Sequence, residues 1–222
     1  MTANRLFLDE QYFVTNGGRS LVYRHPEDAN LLIKVMNPKF MARSSFKIRL
    51  LHKSTTINRF RFSKCYIREI VESVRLRFAH NYQHPICIQQ FTGIVDTNFG
   101  FGLVVRAERG KDGNYAKTLK TLIKANQYNA EIQKKLDAFY DALANCDISV
   151  SDCAPANLVY AYSEEAGEHF VLIDGIGEKT LIPILRISAR LRKLSRLDQI
   201  NRLKKRISSD LIKYTDTHQL KS

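Results

Sequence analysis

Ile148-Ser149-Val150-Ser151-Asp152-Cys153-Ala154-Pro155-Ala156-Asn157-Leu158-Val159-Tyr160 is followed, after one acidic turn, by Phe170-Val171-Leu172-Ile173-Asp174-Gly175. Two apolar, strand-like runs each deliver short polar groups. The first offers Asp152 and, five residues on, Asn157; the second offers Asp174. Asp, Asn and Pro are also the ordinary residues of turns between strands, so the spacing acquires meaning only through what accompanies it along the chain.

A phosphoryl-transfer site needs this set of groups. One carboxylate orients an attacking hydroxyl and receives its proton, while a carboxamide and a second carboxylate hold metal ions on the phosphates. Asp-x-x-x-x-Asn is the spacing of catalytic loops in kinase-like enzymes, and Pro155 sits where such loops often carry proline.

Composition bounds the rest. The chain has 222 residues, enough for one large domain or two small lobes with a substantial core. At 44% hydrophobic and 26% charged it reads as globular rather than disordered. No run reaches the ~20 apolar residues of a membrane span. Asp9 and Glu10 stand near the start with no cleavable apolar segment, so no signal peptide is expected. Cys65, Cys87, Cys146 and Cys153 form no Cys-x-x-Cys pair, which argues against zinc and a disulfide framework and for the reducing cytosol.

The net charge of +13 is uneven: residues 29–68 carry +10 with no acidic residue, residues 181–222 carry +8, and the remainder carries −5. Two basic surfaces flanking a slightly acidic middle attract phosphate-bearing partners, whether nucleotide, anionic membrane or nucleic acid.

Upstream, short strands are expected at Arg5–Leu8, Gln11–Val14, Leu21–Arg24 and Leu31–Met36. Thr15-Asn16-Gly17-Gly18-Arg19-Ser20 between two of them is a turn rich in residues that tolerate positive φ. Strand, Gly-bearing turn, strand, turn, then a strand holding Lys34 is the order in which a kinase-like N-lobe covers and contacts phosphates. An Asn-Gly turn can equally just join a hairpin, and a strand lysine can be a snorkelling edge residue.

Pro38 to Lys64 is basic and irregular, a mobile loop or a set of short helices. After it, Ile67, Ile70, Val71 and Val74 recur at helical steps and predict an amphipathic helix with these residues inward. Glu69 on that helix would hold Lys34 in place; the alternative is that Glu69 or Glu72 pairs with neighbouring arginines at the surface. Ile86–Val95 and Phe99–Ala107 read as strands, and Arg106–Gly110 as a connection whose backbone could hold an adenine edge. Helices are expected at Thr118–Ala125 and at Ala130–Ala144, where Ile132, Leu136, Phe139, Tyr140 and Leu143 form one core stripe. After the apolar run Leu181–Leu185, Arg186–Tyr214 is a long helical pattern with Ile187, Leu191, Leu194, Ile200, Leu203, Ile207 and Leu211 apolar and many Lys and Arg around them.

Gly17-Gly18-Arg19-Ser20-Leu21-Val22-Tyr23-Arg24-His25-Pro26-Glu27-Asp28, with Leu32-Ile33-Lys34-Val35, resembles the YrbL-like family, the PhoP regulatory network proteins of bacteria. So do Gly93-Ile94-Val95-Asp96-Thr97 with Gly100-Phe101-Gly102, and Ile173-Asp174-Gly175-Ile176-Gly177-Glu178-Lys179-Thr180-Leu181-Ile182-Pro183. That family looks like a distant branch of the protein-kinase-like fold. The resemblance implies a cytosolic bacterial protein of α+β, bilobal architecture, with an antiparallel-sheet N-lobe over residues 1–107 and a reduced, mostly helical C-lobe over residues 108–222. A phosphotransferase reading of that fold would take ATP and Mg²⁺ as cofactors. Gly17 and Gly18 take the phosphate-covering turn, Lys34 the phosphate-contacting lysine and Glu69 its partner. Asp152 takes the catalytic aspartate, and Asn157 and Asp174 the metal ligands.

The departures narrow the function. Val150-Ser151 replaces the usual His-Arg before the aspartate, Gly175-Ile176 replaces Phe-Gly after the metal aspartate, and no Ala-Pro-Glu segment follows. The pattern is more like small-molecule and lipopolysaccharide kinases than protein kinases. Three functions compete: a Mg-ATP-dependent phosphotransferase acting on a hydroxyl of a small molecule or envelope sugar, an inactive pseudokinase serving as a regulatory module, and a nucleic-acid binder. The first is preferred, with the basic C-terminal helix docking on an anionic membrane that displays lipopolysaccharide precursors, so a cytoplasmic protein peripheral at the inner membrane is expected. Nucleic acid ranks last because no aromatics interleave the cations to stack bases.

Overall fold

The computed structural model describes residues 5–39, 55–79, 84–178 and 188–219. In chain order come β1 (Phe13–Asn16), β2 (Ser20–Arg24), β3 (Leu31–Met36), α1 (Thr55–Ala79), β4 (Phe91–Thr97) and β5 (Gly100–Arg106). There follow β6 (Lys117–Thr118), α2 (Leu119–Lys124), α3 (Ala130–Asn145), β7 (Leu158–Ser163), β8 (Gly167–Leu172) and α4 (Ala189–Gln219). The chain forms two compact units, residues 1–70 with 90–107, and residues 71–89 with 108–222. The fold is α+β: a five-stranded antiparallel sheet with a helix inserted between β3 and β4, then helices and a hairpin.

In the first unit the strands run in the order β1-β2-β3-β5-β4. Central β3 is buried on both faces. Ile33 and Val35 point one way, into a core with Leu8, Tyr23 and Val104. Lys34 alternates with them, as the two-residue period of a strand requires. Gly102 of β5 lies opposite Val35, where a Cβ would come within 2.5 Å of the Ile33 side chain, so only glycine fits without a shift of that side chain. Two expected boundaries move. Arg5–Leu8 forms a single bridge, Leu6 to Thr97, instead of a strand, and Glu10–Tyr12 is a 3-10 turn capped by Asp9. Residues 40–54 of the irregular basic stretch, with Ser44 and Ser45, lie outside the described residues; from Thr55 it is helix.

Helix α1 corrects the expected amphipathic face. Ile67 and Val74 are each 46% exposed and Val71 is exposed as well, while Tyr66, Glu69, Glu72, Ser73 and Leu76 are buried. The carboxylates go inside because each meets a partner there, described below, and a paired charge can be buried where an unpaired one cannot.

The second unit holds the larger core. α3 starts at Asn129, whose side chain accepts the Ile132 N–H, and buries Ile132, Leu136, Phe139, Tyr140 and Leu143 as its 3.6-residue period predicts. Leu119, Leu122 and Ile123 of α2, Leu158, Phe170 and Leu172 of the β7–β8 hairpin, and Ile200, Leu203 and Ile207 of α4 join the same cluster. The strand expected from Ile86 begins only at Phe91; Ile88 makes one parallel bridge to Leu172. The first turns of α4 invert the expected pattern. Leu194 is 62% exposed, whereas Arg192 and Arg196 are 8% and 4% exposed. The run Leu181–Leu185, and Ile187, lie outside the described residues. Among the described residues no helix is long and apolar enough to cross a membrane.

Candidate functional site

In the first unit the structure brings Lys34 and Glu69 together. Lys34 Nζ donates to Glu69 Oε1 at 3.3 Å, and both side chains are 11% exposed. Tyr66, one turn before Glu69, donates its hydroxyl to the Lys34 carbonyl at 3.0 Å. Strand β3 and helix α1 are thus joined at one point by a side-chain pair and by a backbone bond, which fixes the direction of the lysine. The β1–β2 turn is held by its own backbone: Gly17 N–H donates to Ser20 O at 2.9 Å, and Asn37 N–H, at the end of β3, donates to Arg19 O at 2.9 Å. Neither Gly17 nor Gly18 takes a positive φ, so the turn does not use the conformational freedom that its glycines suggest. A Cβ at Gly18 would meet nothing within 4 Å, which leaves the backbone there bare.

In the second unit Asp152, Asn157 and Asp174 lie on two loops stitched to each other. Val150 bridges Ile176, and Ser151 N–H and Asp152 N–H both donate to the Gly175 carbonyl, at 2.7 and 3.3 Å. Gly177 N–H donates to Ser149 O at 2.8 Å, and Ile173 N–H to Asn157 O at 2.9 Å. Gly175 has φ +83°, and a Cβ on it would sit 2.1 Å from the Asp152 carbonyl oxygen. Glycine is therefore required there for two reasons: the left-handed backbone and the contact. Pro155 opens a 3-10 turn, Pro155–Asn157, that swings Asn157 back so that its Nδ2 donates to Asp152 O at 3.2 Å.

The start of the first loop is anchored from α1. Glu72, 3% exposed, accepts the Ser149 N–H at 2.6 Å and Arg75 Nη2 at 2.7 Å. Arg75 also bonds the side chain and carbonyl of Asp147. Asp147 in turn receives Arg192 through two bonds, at 2.7 and 2.9 Å, and stands 3.7 Å from Arg196, which donates to Ile148 O. The bonds from Arg192, with those from Arg75, hold the Asp147 carboxyl well below the usual carboxylate range, at about 2. Burial pushes the Cys153 thiol up to about 12, so this residue of the loop is a packing group and no nucleophile.

One residue of this site escapes sequence reasoning. Arg206 of α4 donates from Nη1 to Asp152 Oδ1 at 2.9 Å and to Cys153 O at 3.3 Å. In the sequence it is one of many cations on a basic helix, and its 54-residue separation from Asp152 leaves no local signal. Its step of three from Leu203, a core position, is the sole hint that it lies beside the packed face.

The donor set fits a small hard cation. Asp174 gives one oxygen to Gly175 N–H at 2.6 Å, which leaves Oδ2, and Asn157 spends its amide nitrogen on Asp152 O, which leaves Oδ1. A carboxylate and a carboxamide oxygen on adjacent, exposed loops are the oxygen ligands that Mg²⁺ takes alongside water and phosphate. The second carboxylate oxygen of Asp152 has no partner among the described residues.

A protein-family model described as PhoP regulatory network protein YrbL matches residues 6–208. No curated protein matches the sequence. Among solved structures, that of Rad53 1-466 in complex with AMP-PNP is similar at 10% identity with a TM-score of 0.48, over 87% of this chain and 44% of that one. The chain thus spans less than half the length of that structure.

Proposed function

This chain belongs to the PhoP regulatory network protein YrbL family, and we propose that it is a phosphotransferase that moves the γ-phosphoryl group of Mg-ATP to a hydroxyl of a small molecule or envelope sugar. The observation that carries this reading is the cross-linked pair of loops on which Asp152, Asn157 and Asp174 stand. Two turns that merely joined strands would have no need for a buried glutamate under one and an obligatory glycine against the other.

Bound Mg-ATP supplies the transferable phosphoryl group and an electrophilic phosphorus. The residues of the chain do the rest. Asn157 Oδ1 and Asp174 Oδ2 would hold the metal ions, and Lys34, aimed by Glu69, would neutralise phosphate oxygens. Asp152, oriented by Arg206, takes the proton of the acceptor hydroxyl as its oxygen bonds to the γ-phosphorus. ADP would be the leaving group. Every charge-stabilising group here is fixed by a second contact, so little reorganisation is needed at the moment of transfer.

A second reading is favoured by a specific contact. Arg206 occupies one oxygen of Asp152, and Val150-Ser151 precedes it. Both suit a nucleotide-sensing regulatory module without turnover. One experiment separates the two. Mg-dependent ATP binding and slow ATP hydrolysis are measured for the wild type and for Asp152→Ala. Phosphotransfer predicts that binding survives the substitution while turnover falls by at least a hundredfold. Binding without turnover in the wild type assigns the regulatory role, and equal turnover in both proteins removes Asp152 from the chemistry.

A further inference from the structure

The geometry points to a binding site for a phosphorylated, hydroxyl-bearing molecule in the cleft where α2, the Pro155–Asn157 turn and α4 meet. It rests on the phosphotransfer reading only in taking this molecule to be the acceptor; the cleft and its charge stand independently. Lys120 reaches it from α2, and Lys205, Arg206, Ser209 and Asp210 from α4, while residues 154–156 supply its floor beside Asp152.

Two of the three cations are not accounted for by the fold. Neither Lys120 nor Lys205 makes an ion pair or hydrogen bond with a described residue. Arg206 spends Nη1 on Asp152 and Cys153, and no described residue accepts from Nη2. Arg206 is balanced by Asp152, so Lys120 and Lys205 against one carboxylate, Asp210, leave the cleft at +1. Close like charges repel, so a concave surface that sets Lys120 and Lys205, without ion-pair partners among the described residues, beside Arg206 gains from an anion. A phosphate monoester, with about two charges and three acceptor oxygens, matches them. Asp210 and Ser209 add an acceptor and a hydroxyl, which suit a ligand with free hydroxyls.

The backbone that carries the cations is packed. Leu119, Leu122 and Ile123 beneath Lys120, Leu203 and Ile207 on either side of Lys205 and Arg206, and Pro155 are all buried, so the three walls are packed elements. Arg206 connects the cleft to Asp152 directly. A ligand anchored there by its phosphate would offer a hydroxyl toward that carboxylate.

The test uses the full chain with glucose 6-phosphate, glucose and phosphatidylglycerol vesicles as probes, titrated by calorimetry in the presence of saturating Mg-AMP-PNP. The expected result is binding of the phosphate ester and none of glucose, with at least a tenfold loss of ester affinity in the Lys120→Gln/Lys205→Gln double variant. Affinity of that variant for the nucleotide stays within twofold, as does that of the single variant Lys205→Gln, which guards against misfolding. Equal ester affinity in the double variant overturns the inference. So does binding of the vesicles alone that the double variant abolishes, which would make the cleft a lipid-surface contact. Ester binding in a protein that binds no nucleotide upholds the cleft and removes the phosphotransfer reading; ATP turnover without ester binding does the reverse.

Discussion

Gly175 shows how one residue without a side chain can carry a site. Its carbonyl receives two N–H groups from the Asp152 loop, and its α-carbon faces the Asp152 carbonyl with no space between them. We expect Gly175→Ala to cost about 2–4 kcal/mol, the sum of a strained φ and a backbone collision. Urea unfolding monitored by circular dichroism checks this, and a loss below about 1 kcal/mol would mean that the two loops separate easily. At this scale the sequence was informative where spacing is local. Asp152 and Asn157 are five apart on one loop, and Asp174 follows a recognisable strand. Arg206 was not legible, because an ion pair between residues 152 and 206 depends on how α4 lies and leaves no periodic trace.

At the scale of the element, α1 and α4 break the rule that apolar periodicity marks the buried face. In α1, Glu69 and Glu72 face inward, one turn apart, and Val71 and Val74 face out. In α4, Arg192 and Arg196 are buried near Asp147 while Leu191 and Leu194 are exposed. Removing one member of a buried, bonded pair leaves an uncompensated charge or donor. Glu72→Ala strands the Ser149 N–H and leaves Arg75 to Asp147, and we expect a loss of about 2–4 kcal/mol, against less than about 1 kcal/mol for Val71→Ser on the exposed face. Thermal melts of the two variants check the contrast; equal losses would restore the apolar face as the packed one. α3, by comparison, follows the rule, because its buried face packs into an apolar core.

For the whole molecule the consequence is a dependence of stability on acid. Asp147 is charged in the folded state down to about pH 2 instead of the usual 3.8. A depressed folded pKa stabilises above the unfolded value, and that contribution is lost as pH falls from about 4 through about 2. A shift of roughly two units is at most about 2.5 kcal/mol. The side chain is 37% exposed, so solvent screening reduces it to about 1 kcal/mol. We expect Asp147→Asn to be less stable at pH 7 and to show a flatter fall in stability between pH 4 and 2 than the wild type. Denaturant midpoints across that range check it, and parallel curves would remove Asp147 from the acid response.

The sequence by itself determined the α+β class, the family, the order of strands around Lys34, the core stripe of α3 and the spacing of Asp152 and Asn157. These are properties of neighbours along the chain, encoded in period and turn chemistry. Tertiary structure alone decided that the carboxylates of α1 point inward, that Asp147 gathers arginines from two helices, that Arg206 meets Asp152, and that Lys120 shares a cleft with Lys205. Each joins groups that lie far apart in sequence, and a charge is buried or exposed according to the partner that folding brings to it.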